Sequence, residues 1–402
     1  MKEKSQSYLH QLCLGISQRP VGSAGNQEAT NFFQEVVSPF GWELESNTFP
    51  ALDWIDNGAE LTLRGENYQV YPSPYAEGCS TDSVLVSAGN LEELKGIDAE
   101  GQLLLIHGEL AKEQLMPKNF VFYNPEEHQE IIALLEGKKP AAILTATGRN
   151  ASLAGGVYPF PLIEDGDFHI PSVYLTEEEG SRLLSEVGRT GTLVSRAERI
   201  QSEGYHLVAK KGNDQGKRIT ISAHIDAKLG TPGAIDNGTG VVILMLLAEL
   251  FKDYREGPVL ELLPFNGEDY YAASGQMLFM DQNRGHFDEI MININIDGAG
   301  YHIGPSAFSP LNLPEPLLSN LKEILGSTED LIEGAPWYQG DHSIFLQGGV
   351  PAIAVSSAWF VDHVDSQQIT HTPADHPDIV NHDRVVEIAG AIQQFIRVSY
   401  LT

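Results

Sequence analysis

The sequence is short of cysteine, with only Cys13 and Cys79 among its 402 residues. Two thiols cannot form a disulfide framework or a thiolate-bound metal cluster. A sequence also cannot decide whether these two pair with each other, because a disulfide requires the two Cα atoms to lie within bonding reach. The cysteine count therefore excludes a disulfide-rich scaffold and a cysteine-based metal cluster.

Positive charge is scarce as well. The chain has 25 Lys and Arg residues against 55 Asp and Glu residues, which gives a formal net charge of −30. Nucleic acids and anionic membrane surfaces bind proteins that have a basic surface, so we expect neither as a partner. The acidic residues are dispersed along the chain, which is typical of a solvated surface. Such a surface favours cationic substrates and divalent metal ions.

Long hydrophobic runs are also missing. The longest, residues 241–248, is far too short to span a bilayer, and the first 20 residues have no apolar core of signal-peptide length. We therefore expect a soluble, cytoplasmic protein. The composition, 42% hydrophobic and 20% charged, is that of a globular chain, and the length corresponds to two or three domains.

In the first half of the chain, the pattern of apolar residues changes near residue 52. Apolar residues at helical spacing predict helices over 5–17 and 25–40. Short β-like runs separated by Gly, Asn and Asp follow, at 59–63, 83–86 and 102–107. Two further helices are expected, one over 125–135 and one that begins at Thr176, where Glu179 completes a capping-box pattern.

The second half, from about residue 198, alternates strands with helices. Strands are predicted at 218–223, 259–265, 291–296 and 352–356, and helices at 240–254 and 276–282. Continuous apolar strands that alternate with helices are typical of a buried, largely parallel sheet. The fold class is therefore α/β, with a mixed, mainly parallel central sheet flanked by helices, and with a β-rich α+β domain in the middle of the chain.

Acidic residues and histidines fall at the C-terminal ends of these strands, where open α/β sheets bind their ligands. His224 and Asp226 follow the first strand and face the same side, so the Asp226 carboxylate can orient a metal-binding imidazole. Asp236 lies in a glycine-flanked loop, and its two oxygens could bridge two metal ions. Taken alone, these residues have ordinary interpretations, as a structural histidine and as a turn or helix N-cap.

Four more residues complete the pattern. Glu268 and Asp269 end the second strand as an adjacent acidic pair, which is costly inside a protein unless it is exposed, metal-bound or partly protonated. Asp297 ends the third strand, and His371 precedes the C-terminal helix. Nitrogen and oxygen ligands without thiolates suit zinc, and also manganese or cobalt, and one surplus carboxylate can act as a base.

The order of these motifs resembles that of the di-zinc aminopeptidases of metallopeptidase family twenty-eight. That family has His-x-Asp, Gly-Ala-x-Asp-Asn-x-x-Gly, an acidic pair, a strand-terminal Asp and a late His-Thr, and all five occur here in that order. Residues 19–26 and 340–342 fit the family too. The resemblance implies a catalytic domain of zinc-peptidase (phosphorylase/hydrolase-like) fold formed by 1–51 and 198–402, with an inserted protease-associated-like domain at 52–197.

The resemblance also implies a metal role for five residues. His224 and Asp297 would hold one zinc ion, Asp269 and His371 would hold a second, and Asp236 would bridge them. The cofactor is then two zinc ions per chain, with cobalt or manganese as substitutes. The family more often has Glu where this chain has Asp269. The shorter side chain of Asp269 reaches less far, so occupancy of the second zinc site is the point to test.

The reaction implied by the resemblance is hydrolysis of the N-terminal peptide bond by a zinc-activated water. Glu268 would be the general base and would return the proton to the leaving amine, while Asp226 would support His224. The substrates would be peptides with a free N-terminus, because an acidic site suits an α-ammonium group. A second departure from the family pattern, at residues 271–275, falls where the pocket wall is expected.

Aromatic residues near the motifs are candidates for the substrate pocket. We expect substrate contacts from Tyr270, Tyr271, Trp359 and His363, although ordinary packing explains aromatic side chains equally well.

Three other functions remain open. One is a single-zinc glutaminyl cyclase-like acyltransferase, which would not need both metal pairs. Another is a carboxypeptidase, which would need a basic pocket, and the third is a non-catalytic, receptor-like relative that has lost ligands. The sequence also leaves open whether the protein forms a homo-oligomer.

Overall fold

The chain consists of two compact units. The computed structural model describes residues 1–16, 18–149, 158–363 and 366–401. Unit 1 comprises Met1–Ala51 and Glu203–Thr402, and unit 2 comprises Leu52–Ser202. The chain passes from unit 1 to unit 2 between residues 51 and 52 and returns between residues 202 and 203. The assignment of 1–51 and 198–402 to a catalytic domain and of 52–197 to an inserted domain stays a prediction.

The described residues form strands and helices that are numbered here in chain order. The strands are β1 (Glu43–Ile55), β2 (Ala59–Leu63), β3 (Glu66–Tyr68), β4 (Tyr71–Pro72), β5 (Cys79–Ala88), β6 (Leu103–Ile106), β7 (Ala142–Thr147), β8 (Ser172–Thr176), β9 (Thr190–Ser195), β10 (Glu198–Lys211), β11 (Asp214–His224), β12 (Pro258–Phe265), β13 (Ile290–Ile296), β14 (Ser306–Leu311), β15 (Leu331–Glu333) and β16 (Ala352–Ser357). The helices are α1 (Lys2–His10), α2 (Ala24–Val37), α3 (Leu91–Gly96), α4 (Glu126–Lys138), α5 (Glu177–Leu184), α6 (Thr239–Leu250), α7 (Ser274–Gln282), α8 (Glu315–Leu325), α9 (His342–Gln347), α10 (Ala358–His363) and α11 (His382–Tyr400).

The sheet of unit 1 has the strand order β1-β10-β12-β11-β13-β16-β14-β15. Its four central strands, β12, β11, β13 and β16, are parallel. Strands β10 and β14 run antiparallel to β12 and β16, respectively. The predicted fold class, a mixed and mainly parallel sheet, is confirmed.

The two faces of this sheet differ in chemistry. One face carries a row of buried aliphatic side chains from the four parallel strands, Leu262, Ile221, Ile294 and Ile353, which packs with α1, α2, α6, α8 and α11. Successive residues of a strand alternate between faces, so the other face carries Ser222 and its neighbours. Ser222 and Asn295 therefore lie on the face opposite to this aliphatic row.

The second face is covered by α7 and α9. Phe265, the last residue of β12, contacts Phe279 of α7 with ring centroids 5.4 Å apart and Phe345 of α9 at 6.4 Å. Farther along the sheet, the Ser222 hydroxyl donates to Asn295 Oδ1 over 2.8 Å. This face ends at the carboxyl edge of the sheet, where His224 is the last residue of β11.

Unit 2 is built on a second eight-stranded sheet, of order β3-β2-β9-β5-β6-β7-β8-β4. Strands β5, β6, β7 and β8 are parallel, and the remaining pairs are antiparallel. Helices α3 and α4 pack on one face and α5 on the other. Thr176 caps α5 as predicted, since its hydroxyl accepts a hydrogen bond from the Glu179 amide. The likeness of this unit to a protease-associated domain stays a prediction.

The first predicted helix differs from the observed one. The pattern over 5–17 corresponds to α1, which ends at His10, followed by a π-helical turn over Gln11–Gly15. Ser17 lies outside the described residues. Among the helices of the described part of the chain, none combines the length and the apolar character needed to cross a membrane.

Candidate metal centre and active site

His224 is fixed at the carboxyl end of β11. The ring is 1% exposed, and its Nδ1 donates to the main-chain oxygen of Asp226 over 3.1 Å. A carbonyl oxygen can only accept, so this contact places the proton on Nδ1 and leaves Nε2 as the ligand atom. Burial lowers the pKa of His224, but the Asp236 and Asp297 carboxylates outweigh burial and raise it well above its usual value.

Asp226 supports the site through a different contact from the one expected. Its carboxylate lies 3.8 Å from His224 Nδ1, whereas its two oxygens each accept a main-chain hydrogen bond over 3.0 Å, from Gly267 and from Asp269. Burial raises the pKa of Asp226 to about 6. The main-chain oxygen of Asp226 thus orients His224, and its carboxylate holds the loop that carries Glu268.

Asp236 lies between the two histidines. Its Oδ1 is 3.0 Å from His224 Nε2, and its Oδ2 is 3.2 Å from His371 Nε2. Burial raises the pKa of Asp236, but the two rings lower it, and the net pKa lies far below the usual value. A carboxylate that faces one imidazole with each oxygen has the arrangement that a bridging ligand requires.

Asp269 and Asp297 flank this bridge. Asp269 Oδ1 lies 3.0 Å from His371 Nε2, and Asp297 Oδ1 lies 3.6 Å from His224 Nε2. Burial lowers the pKa of His371, whereas Asp269 and Asp236 raise it well above its usual value. Burial raises the pKa of Asp297.

Glu268 points toward the same centre but is the more open of the two neighbouring acids. Its Oε2 is 4.0 Å from His224 Nε2, and its side chain is 28% exposed, against 3% for Asp269. Burial and the carboxylates of Asp269 and Asp297 raise the pKa of Glu268 well above its usual value, although His224 acts in the opposite direction. A carboxylate with a raised pKa binds a proton more readily than a free glutamate side chain does.

The donor set fits two metal ions. Three groups have their candidate ligand atoms within 4.8 Å of one another: His224, Asp236 and Asp297; Asp236, Asp269 and His371; and His224, Glu268 and Asp269. The first two groups share Asp236, as two sites with one bridging ligand would. His224 Nε2 and Asp269 Oδ2 are buried but make no hydrogen bond within the described residues. Buried polar atoms that make no hydrogen bond are rare. Two atoms that bind the same metal ion each lie about 2 Å from it, so they are close to each other without a hydrogen bond between them. Histidine and carboxylate ligands are those of zinc sites.

The aromatic candidates lie in two places. Tyr270 and Tyr271 follow the acidic pair and are 3% and 8% exposed, with ring centroids 4.5 Å apart. Trp359 and His363 form a parallel stack at 4.6 Å, and Trp359 also contacts Tyr301 at 5.0 Å. Contact between these four residues and a substrate stays a prediction.

A family comparison agrees with this geometry. Residues 206–396 match the model of Peptidase family M28, and the match spans both ligand groups and Glu268. We refer to residues 206–396 as the M28 region. Residues 1–205 lie outside the match, although 1–51 are part of the same compact unit.

Relatives of the M28 region are named as aminopeptidases. Leucine aminopeptidase 2 of Trichophyton equinum is 24% identical over 202 residues, which cover 46% of this chain and 40% of that protein. The probable leucine aminopeptidase 2 of Aspergillus oryzae is 22% identical over 205 residues, 50% of this chain and 36% of that protein. The chain thus matches less than half the length of these relatives.

Solved structures share the fold over the whole chain. An aminopeptidase from Aneurinibacillus sp. strain AM-1 covers 100% of this chain and 94% of its own, with a TM-score of 0.73 and 18% identity. A zinc aminopeptidase from Bacillus subtilis covers 99% and 95%, with a TM-score of 0.75 and 15% identity. A glutaminyl cyclase from Porphyromonas gingivalis covers 99% and 98%, with a TM-score of 0.54 and 11% identity. These identities establish a common fold and nothing further.

The M28 site also involves buried acids to which the sequence analysis gave no role. Asp341 accepts a hydrogen bond from Gln276 Nε2 over 2.8 Å, and burial raises its pKa to about 7. Asp375 accepts hydrogen bonds from the main chain beside Asp236. Asp341 lies in the segment 340–342, which fits the family pattern, and Asp375 lies four residues after His371; these positions are the available sequence signals.

Proposed function

We propose that this chain is a metallo-aminopeptidase that hydrolyses the N-terminal peptide bond of peptides. The observation that carries the proposal is the pair of ligand groups that share Asp236, with Glu268 beside them. The family of the matched residues and the names of its relatives support the same activity.

The cofactor that we propose is a pair of zinc ions, with cobalt or manganese as substitutes. When bound, zinc would polarise a peptide carbonyl and lower the pKa of a water molecule, so that the water loses a proton and becomes a nucleophile near neutral pH. His224 and Asp297 would hold one ion, Asp269 and His371 the other, and Asp236 would bridge them. His224 is suited to this role because its Nδ1 proton is bound by the Asp226 carbonyl, so Nε2 is free to bind metal.

Glu268 is the residue that we assign as the proton carrier. Its carboxylate would accept the proton of the attacking water and then donate it to the amine that leaves. The raised pKa of Glu268 suits both steps, because the group must be basic enough to take the proton and acidic enough to return it. Asp226 contributes by holding the amides on both sides of Glu268.

Specificity for a free N-terminus follows from charge. Carboxylates dominate the site, and the whole chain carries a net charge of −30. An α-ammonium group is attracted to such a site, whereas an acetylated N-terminus has no charge to contribute. A glutaminyl cyclase-like acyltransferase is the second candidate, because a cyclase shares the fold, although at a lower TM-score.

The test compares one peptide with its N-acetylated twin. We expect the purified chain to release the first residue of the free peptide and to leave the acetylated twin intact. A third sample, a peptide that begins with glutamine, separates the candidates, since a cyclase releases ammonia from it and leaves every peptide bond whole. Equal turnover of the free and acetylated peptides would exclude an aminopeptidase.

A further inference from the structure

The loop that carries Asp236 is held from one side by a buried guanidinium group. Arg19 is 3% exposed, and its Nη1 and Nη2 donate to the main-chain oxygens of Pro232 over 2.9 Å and Gly233 over 2.8 Å. Its Nε donates to the oxygen of Ile225 over 3.0 Å, in the peptide segment that joins His224 to Asp226. One side chain thus binds the main chain next to two of the candidate ligands.

The same loop is held from the other side by a buried carboxylate. Asp375 is fully buried, and its two oxygens accept hydrogen bonds from the amides of Ile235 over 2.7 Å and Asp236 over 3.0 Å. Its main-chain oxygen accepts a third, from Ala234. Asp375 lies four residues after His371, so the loop that contains His371 is hydrogen-bonded to the loop that contains Asp236.

The loop is closely packed at Gly233, which lies between these two groups. A Cβ atom at Gly233 would lie 2.7 Å from Arg19 Nη2 and 2.8 Å from the main-chain oxygen of Asp236. Gly233 also has a φ of +61°, a conformation that favours glycine. The peptide groups of 232–236 are thus held between a guanidinium group on their carbonyl side and a carboxyl group on their amide side.

We propose that Arg19 and Asp375 are positioning residues that form a clamp on the 232–236 loop and set the distance between the two metal sites. The Arg19 guanidinium is charged, and hydrogen bonds from charged groups are about twice as strong as neutral ones, so Arg19 fixes this loop more firmly than ordinary turn contacts would. Arg19 couples Asp236 to the end of β11, and Asp375 couples it to His371. The clamp rests on the proposed function, because it matters only where Asp236 bridges two ions.

The test measures zinc affinity, by competition with a chromophoric chelator, in wild type and in two conservative variants. Asp375→Asn keeps the shape of the side chain but directs an NH₂ group at one main-chain amide. Arg19→Lys keeps the charge, but its single nitrogen cannot reach all the carbonyl oxygens that the guanidinium group binds. We expect each variant to bind zinc about 10- to 100-fold more weakly, the usual effect of losing a group that orients a ligand.

Arg199→Lys is the matched control. Arg199 belongs to unit 2, where its guanidinium donates to the main-chain oxygens of Tyr75 and Phe168. The control loses the same kind of bonds away from the ligand loops, so it should lower the melting temperature of the metal-free chain and keep the zinc affinity of wild type. Should Asp375→Asn fail to fold, Arg19→Lys carries the same prediction.

The outcomes distinguish the clamp from the proposed function. Weaker zinc binding and an altered cobalt absorption spectrum in both clamp variants, but not in the control, would support the clamp. Wild-type affinity in a folded clamp variant would overturn the clamp and leave the proposed function intact. A wild-type chain that binds no zinc would overturn both.

Discussion

At the scale of single residues, the site separates two neighbouring acids into different environments. Asp269 is held by its amide to Asp226 and faces His371, whereas Glu268 is more exposed and faces His224 from 4.0 Å. Both residues lie in the turn after β12, and their side chains face different histidines, so this pair reaches two different parts of the centre. We therefore assign Glu268 to proton transfer and Asp269 to metal binding.

Substitution of Glu268 tests the first assignment. Glu268→Gln keeps the size and hydrogen bonding of the side chain but cannot accept a proton. We expect turnover of a free peptide to fall by about 10²- to 10⁴-fold, the usual contribution of general acid–base catalysis. Zinc content and melting temperature should stay close to those of wild type, because no proposed ligand is lost.

Asp269→Asn is the matched variant for the neighbouring residue. It should lower the zinc content, and excess metal should restore part of the activity. If Glu268→Gln lost zinc while Asp269→Asn kept two ions per chain, the two roles would be reversed.

Sequence reasoning placed these residues but not their contacts. The strand pattern places His224 and Asp226 on the same side, so it predicts that the Asp226 carboxylate orients the His224 ring. In the structure, the Asp226 carboxylate is occupied by amides of the loop after β12. A strand pattern shows which way a side chain faces, but it cannot show which donors arrive from a neighbouring strand.

At the scale of elements, strands were easier to predict than helix ends. The runs at 259–265 and 291–296 correspond to β12 and β13 within one residue at each end. Strand β12 is mainly apolar, and β13 has an isoleucine at every second position, which is the period of a strand. The helix predicted at 240–254 ends at Leu250. The buried Phe251 extends the apolar pattern beyond the last helical residue, so periodicity alone overestimates the length.

Packing between β10, β12 and α7 contains a histidine that resists protonation. His206 is fully buried, stacks on Phe265 with centroids 6.0 Å apart, and contacts Phe279 at 5.9 Å. Within the described residues, neither ring nitrogen has a hydrogen-bond partner. Burial, with a smaller contribution from Lys210, lowers the pKa of His206 from 6.5 to about 4, although Glu45 acts in the opposite direction.

This histidine predicts a loss of stability in acid. The unfolded chain takes up the proton near pH 6.5 and the folded chain only near 4. Between these values the unfolded state holds more protons, so the His206 contribution to the free energy of unfolding falls as the pH falls. We expect the metal-free wild type to lose about 1 kcal/mol more than His206→Leu between about pH 7.5 and 5.5, measured by urea denaturation.

Phe279→Leu is the control for His206→Leu. It removes an aromatic side chain from the same cluster but no titratable group, so it should lower stability and keep the pH dependence of wild type. A His206→Leu variant with the same pH dependence as wild type would contradict the buried neutral ring.

At the scale of the whole molecule, the M28 region depends on residues far away in the sequence. Leu9 of α1 and Phe33 of α2 belong to the same buried cluster as the central strands. Arg19 hydrogen-bonds to Ile225, 206 positions along the chain. A change in the pattern of apolar residues, together with the family resemblance, predicts a domain made of two segments, 1–51 and 198–402. The sequence could not predict the Arg19 contact, since local patterns contain no information about such distant pairs.

We propose that this molecule hydrolyses peptides only when metal is held at the centre built around Asp236. The most direct test titrates zinc into the metal-free chain and follows both bound zinc and release of the first residue from a free peptide. We expect activity to be absent at the start, to rise with occupancy and to reach a plateau at about two zinc ions per chain, as a centre with two metal sites requires. Full activity in the metal-free chain would contradict the account.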